Sequence, residues 1–129
     1  LYTSISHTAD QGVFVVSEYP TGVDLEERQR ISEAPVKRVC SSDELKLLPT
    51  DTKLLWSIKE ATFKAIPFAI QPKVISDIRI LKINHEESLD TIDTYSFSCT
   101  SKQDEQIKIL GFISCCENYQ LAASIILKQ

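Results

Sequence analysis

Two carboxylates, Asp24 and Glu26, stand two positions apart in the run Gly22-Val23-Asp24-Leu25-Glu26. The run reads as a β-strand, and positions i and i+2 share one face of a strand. Both acids therefore point one way, while Val23 and Leu25 point to an apolar side. Side by side, two carboxylates repel unless a cation joins them. A third, Glu60, on the most helical segment of the chain, would complete a hard oxygen site of the kind Mg2+ favours: a few carboxylates, retained waters and phosphate oxygens. The same acids also read as ordinary exposed carboxylates, and Glu60 and Lys64 as a plain i,i+4 pair contributing ~0.2–0.5 kcal/mol. Spacing alone leaves these readings open.

Other chemistries are poorly represented. His7 and His85 give no metal-ligand spacing, so zinc is not expected. With only three glycines, at 12, 22 and 111, the chain has neither a dinucleotide-binding glycine motif nor a P-loop. Cys40, Cys99, Cys115 and Cys116 form no C-x-x-C pair and suggest no disulfide framework. They read as reduced thiols, mostly small core residues, of a cytoplasmic protein. The formal net charge of −4 and the lack of a basic run speak against nucleic acid or an anionic membrane as partner. No apolar run approaches the ~18 residues of a membrane span.

The 129 residues suit one domain of α+β class. Strands are expected over Tyr2–His7, Gly12–Ser17 and Gly22–Glu26, together forming a small antiparallel meander. Helices follow at Ser32–Cys40, capped by Ser32, and from Ser42 to Pro49, capped by Ser41 or Ser42. A long helix spans Asp51–Ile66, with Asp51 as cap and Pro67 as stop. Four strands complete the chain: Ile75–Asn84 (Ile78, Ile80 and Leu81 inward), Thr91–Ser98, Ile107–Cys116 and Tyr119–Lys128. The long helix carries an apolar stripe of Leu54, Leu55, Ile58, Ala61, Thr62 and Ala65, which should pack on an antiparallel sheet. Trp56 and Phe63 lie off that stripe beside Glu60 and Lys64. They mark either a second covered surface or aromatics tucked under a loop.

Four segments resemble, in order and spacing, the signatures of the 4′-phosphopantetheinyl transferase superfamily, which includes the holo-acyl-carrier-protein synthases and the surfactin-synthetase-type enzymes. They are Ile5-Ser6-His7 (S-H), Gly22–Glu26 (G-x-D-x-E), Lys37-Arg38-Val39-Cys40-Ser41-Ser42-Asp43-Glu44 (R-x-F-(x)-x-x-E) and Leu55–Ala65 (W-x-x-K-E-A-x-x-K). Val39-Cys40 replaces the usual Phe. The resemblance covers roughly residues 4–66. It implies a phosphopantetheinyl-transferase-like fold and transfer of 4′-phosphopantetheine from coenzyme A to a serine of an apo acyl or peptidyl carrier protein, releasing 3′,5′-ADP. By the same resemblance, Asp24, Glu26 and Glu60 hold Mg2+, and Lys64 contacts a phosphate oxygen. Lys59 adds positive charge near the transferring group, Ser6 and His7 bind phosphate of coenzyme A, and Glu60 serves as base. The S-H segment matches the larger, two-repeat enzymes, whereas the length matches the short oligomeric ones. The chain is therefore expected to be a C-terminal half that self-associates as a dimer or trimer. The alternative is a degenerate half that only binds a carrier or another subunit.

Overall fold

β-branched and aromatic runs at both ends of the chain build strands, and the middle supplies the helices. The computed structural model describes residues 1–128. Strands β1 (Tyr2–His7) and β2 (Gly12–Ser17) form a hairpin of their own. Strand β3 (Thr21–Glu27) leads to helices α1 (Glu33–Val39), α2 (Ser42–Leu45) and α3 (Lys53–Ala65). Strands β4 (Ile78–Leu89), β5 (Ile92–Ser101), β6 (Asp104–Cys115) and β7 (Tyr119–Lys128) follow. The second sheet runs β3-β7-β6-β5-β4, antiparallel throughout.

The α+β class agrees with the sequence, and four strands do end the chain, but the first begins at Ile78 and runs to Leu89, since Ile75–Asp77 forms a 3-10 turn instead. The expected meander does not form, because β3 pairs with β7, Asp24 lying opposite Ala122 and Glu26 opposite Gln120. The hairpin instead runs along the free edge of β3. There Ser4 Oγ accepts from Val23 N at 3.0 Å and Ser6 Oγ from Leu25 N at 2.9 Å. Two hydroxyls thus satisfy edge amides that would otherwise be buried without partners. The hairpin tip is tied by Tyr119 Oη donating to Asp10.

The expected long helix has 13 residues, from Lys53 to Ala65. Thr52 is its N-cap position, and Asp51 makes no cap. The Asp51 carboxylate is held elsewhere, by a two-bond pair with Arg28 at 2.8 and 2.9 Å, a stronger use of a charge than a single backbone amide. Ser32 precedes α1 without a side-chain cap bond, whereas Ser41 and Glu44 form a reciprocal capping box on α2. Helix α2 stops at Leu45, well before Pro49. Leu81, expected inward, is 53% exposed, because a bulge between Ile80 and Lys82 turns it out. All four cysteines are free thiols, and Cys40 and Cys99 are buried. Among the described residues, no helix is long and apolar enough to cross a membrane.

The predicted stripe of α3 is buried throughout. It lies against inward residues of the sheet, among them Ile109, Ile113, Ala122 and Ile126. The helix meets β3 most closely at Gly22. A methyl group there would stand 2.0 Å from the Ala61 carbonyl oxygen and 2.6 Å from the Ala65 nitrogen. Gly22 therefore faces α3, and so do Asp24 and Glu26 by alternation. Replacing Gly22 by Ala should cost about 3 kcal/mol or more, since backbone must move. Gly12→Ala, whose nearest neighbours lie at 3.8 Å, should change stability by less than about 1 kcal/mol. Urea denaturation of both variants measures the contrast.

Candidate active site

The site forms where the acid-bearing end of β3 passes beneath the outer flank of α3. Asp24 is buried, with 4% of its surface exposed, and Glu26 and Glu60 are half-buried beside it. Lys64 Nζ donates to the Val23 carbonyl at 3.0 Å and lies 3.7 Å from Asp24 Oδ1. It thus leans toward the strand instead of pairing with Glu60. Asp24 Oδ2 is buried without any hydrogen-bond partner. In a native structure such an orphan oxygen calls for an explanation.

The three acids sense one another. Burial raises the pKa of Asp24, while the Ser57 hydroxyl and the Lys64 ammonium act against the rise. Burial, then the charges of Asp24 and Glu60, push Glu26 up to about 7. Glu60 is raised by burial and by Asp24, with Lys64 opposing. Like charges crowded at partial burial favour the protonated forms unless positive charge arrives. Among the described residues, no group of three or more His, Cys, Asp or Glu side chains is placed to hold a metal ion. The donor set is nonetheless the one a small hard cation takes, and the orphan oxygen of Asp24 is a free ligand. In donor chemistry, though not in their present spacing, Asp24, Glu26 and Glu60 suit a divalent ion.

Beside Glu26 opens a cleft of about 230 Å³ lined by Glu26, Arg30, Ile31, Ser32, Pro35 and Trp56. Trp56 is a wall of the cleft, and Trp56 and Phe63 both pack against the core. A larger depression of about 680 Å³ lies on the far face of the sheet, against residues such as Leu110, Phe112 and Ile125, away from the acids. Of the three acids, Glu26 lines the smaller cleft.

The remaining predicted residues divide. His7 is exposed. The two serine bonds share an offset of 19 residues, which brings His7 level with Glu26. Ser6 is buried, and its hydroxyl is engaged with the Leu25 backbone. Lys59, expected near the transferring group, is turned to the opposite flank of α3 and is fully buried. There its ammonium meets Glu44 Oε1 at 2.9 Å and the Val39 carbonyl at 2.6 Å. Glu44 also accepts from the Ser41 and Ile80 amides, so one buried pair ties α1, α2, α3 and β4 together. Burial opposes ionisation of Glu44, but the two amides and Lys59 outweigh it and lower its pKa. Burial pushes the thiols of Cys40 to about 11 and Cys99 to about 12, which removes them as nucleophiles.

Sequence reasoning missed Ser57 and Gln120, which lie under the acids. Gln120 sits opposite Glu26 in the sheet, is 1% exposed, and donates to Ser57 Oγ and the Lys53 carbonyl, both at 2.8 Å. Its alternation with Ala122, Ser124 and Ile126 was the available signal.

The sequence model of the 4′-phosphopantetheinyl transferase superfamily matches residues 20–124. The match covers most of the chain, both site-bearing elements and nearly all of the large sheet, and the chain belongs to that superfamily. Its class of chemistry is phosphopantetheinyl transfer. No curated protein matches the chain.

Because the folded Glu26 carboxyl holds its proton to about pH 7, whereas an unfolded Glu releases it near 4.3, stability is full below the unfolded value. It falls as pH rises toward 7. In chelator, Glu26→Gln should match the natural protein near pH 4 and melt about 4 °C or more higher at pH 8, the shift of roughly 1 kcal/mol in a domain near this size. Thermal melts across pH measure it.

Proposed function

We propose that the chain transfers the 4′-phosphopantetheine arm of coenzyme A to a serine hydroxyl of an apo acyl or peptidyl carrier protein, releasing 3′,5′-ADP. The observation that carries this reading is an unpartnered buried carboxylate oxygen on Asp24, whose charge also acts on Glu26 and Glu60, in a chain of this superfamily. Asp24, Glu26 and Glu60 would hold Mg2+. The bound ion would neutralise charge on the pyrophosphate. In the transfer, the serine oxygen forms a bond to the phosphorus of the pantetheine phosphate, and the bond from that phosphorus to the ADP oxygen breaks.

The chain's own residues supply position and proton transfer. Glu60, whose pKa is raised, is suited to accept the serine proton near neutral pH. Lys64, with its side chain 33% exposed, is free to turn from the Val23 carbonyl to a phosphate oxygen. His7, exposed at the end of β1, would meet a phosphate of coenzyme A. Ser6 and Lys59 serve by fixing β1 and α3 in place. The carrier would approach over α1 and α2, where Arg38 and Lys46 are exposed, whereas Lys53 is turned to the Arg28 carbonyl. A single 129-residue domain would leave coenzyme A partly uncovered, and self-association as a dimer or trimer would complete its site. The reduced thiols accord with a cytoplasmic protein.

Calorimetric titration of coenzyme A, with and without Mg2+, tests the reading on the natural protein and on Glu60→Ala. Binding should require Mg2+ and be lost in the variant. Transfer to an apo carrier should fall about 100-fold or more in the variant. Binding by neither protein under any condition would make the chain a non-catalytic module.

A further inference from the structure

A two-stranded hairpin is only marginally stable by itself in water, and β1 and β2 pair with each other alone. Along its length the hairpin is fastened to β3 by the hydroxyls of Ser4 and Ser6. Its tip is a tight knot. Thr8 N donates to the Gln11 carbonyl at 2.8 Å, Gln11 N to Thr8 Oγ1 at 3.2 Å, and Thr8 Oγ1 to Asp10 Oδ1 at 3.3 Å. His7 leads directly into this knot, and its Nδ1 faces the Thr8 carbonyl at 3.3 Å. A carbonyl only accepts, so Nδ1 carries a proton there and Nε2 is left for a ligand. Among the described residues, one hydrogen bond runs from the large sheet to the tip. In it Tyr119 Oη donates at 3.1 Å to Asp10 Oδ1, the same oxygen that Thr8 holds. Tyr119 opens β7 and lies opposite Glu27, next to the pair of Gln120 and Glu26. The bond therefore pins the tip at the acid-bearing end of β3.

We propose that Tyr119 is a positioning residue for coenzyme A, acting through Asp10 to hold the hairpin tip, and with it His7, at the acid-bearing end of β3. The proposal rests on the reading of His7 as a contact to a phosphate of coenzyme A. The Asp10 carboxylate accepts a charge-assisted bond from the phenol, the stronger kind. Without that latch the tip opens locally, as weakly attached surface segments do. Affinity for a ligand that needs His7 in place then falls with the fraction of time that the tip is closed. None of the four sequence signatures reaches Tyr119 or Asp10. The two stand 109 positions apart and meet only because β7 pairs with β3.

Calorimetric titration of coenzyme A into the full chain, in saturating Mg2+, tests the proposal. Tyr119→Phe removes the hydroxyl and keeps the ring, and it should weaken binding about fivefold, the size set by one hydrogen bond. Asp10→Ala should weaken it at least as much. In the His7→Ala background, Tyr119→Phe should have less than about a twofold further effect, because the latch acts only through His7. In turnover, Tyr119→Phe should raise KM for coenzyme A about fivefold and change kcat at saturating coenzyme A by less than about twofold. A merely structural hydroxyl would shift the melting temperature and leave that split alone. Unchanged affinity in Tyr119→Phe, or a full additional loss in the double variant, overturns the proposal while leaving the proposed function standing. Natural affinity in His7→Ala overturns the reading of His7 and the proposal with it. Failure of the natural protein to bind coenzyme A overturns the proposed function and this inference together.

Discussion

Helix α3 lies so close to strand β3 that glycine is required at position 22, with Ala61 and Ala65 above it. That approach sets where everything chemical can be. With the helix backbone against Gly22, the next two residues on the same face of the strand, Asp24 and Glu26, emerge beside Glu60 and Lys64. A larger residue at any of the three contact positions would push the helix outward and separate the acids. The glycine of the G-x-D-x-E signature is thus a packing residue whose consequence is electrostatic.

The arrangement opposes its own stability. Three carboxylates share a partly buried space, and their pKa values rise because burial and mutual repulsion disfavour the charges. The fold resists by anchoring α3 on both flanks. On one side the fully buried Lys59 meets Glu44, which is also held by amides of α2 and β4. Removing one partner of such a pair leaves an uncompensated buried charge, a loss of roughly 3–5 kcal/mol. On the other side Arg28, Asp51, Gln120 and Ser57 join β3, α3 and β7 through satisfied polar groups. These anchors hold the helix against the strand and keep the acids near one another.

Much of this was visible in the sequence, for identifiable reasons. The buried stripe of α3 followed from its 3.6-residue period, β2 from a β-branched and aromatic run, and β1 from a weak polar and apolar alternation. The shared face of Asp24 and Glu26 followed from the strand's period of two. What local pattern could not show was long-range pairing. Placing β3 beside β7 instead of β2 joins residues about a hundred positions apart, and nothing in the segment from Thr21 to Glu27 names its neighbour. The same blindness hid Gln120, whose significance comes only from lying opposite Glu26. Lys59 was expected near the transferring group, because its actual partner Glu44 lies on a separate helix. Asp51 looked like a cap because its actual partner, Arg28, is brought over by the fold. Leu81 looked inward because a bulge is invisible to simple alternation.

The most direct test is a crystal of the protein soaked with Mn2+ and coenzyme A, measured at a wavelength where manganese scatters anomalously. The account predicts one strong peak between β3 and α3, with oxygens of Asp24, Glu26 and Glu60 at about 2.1–2.2 Å and the pyrophosphate against it. A peak elsewhere, or coenzyme A bound with no metal among the three acids, would contradict it.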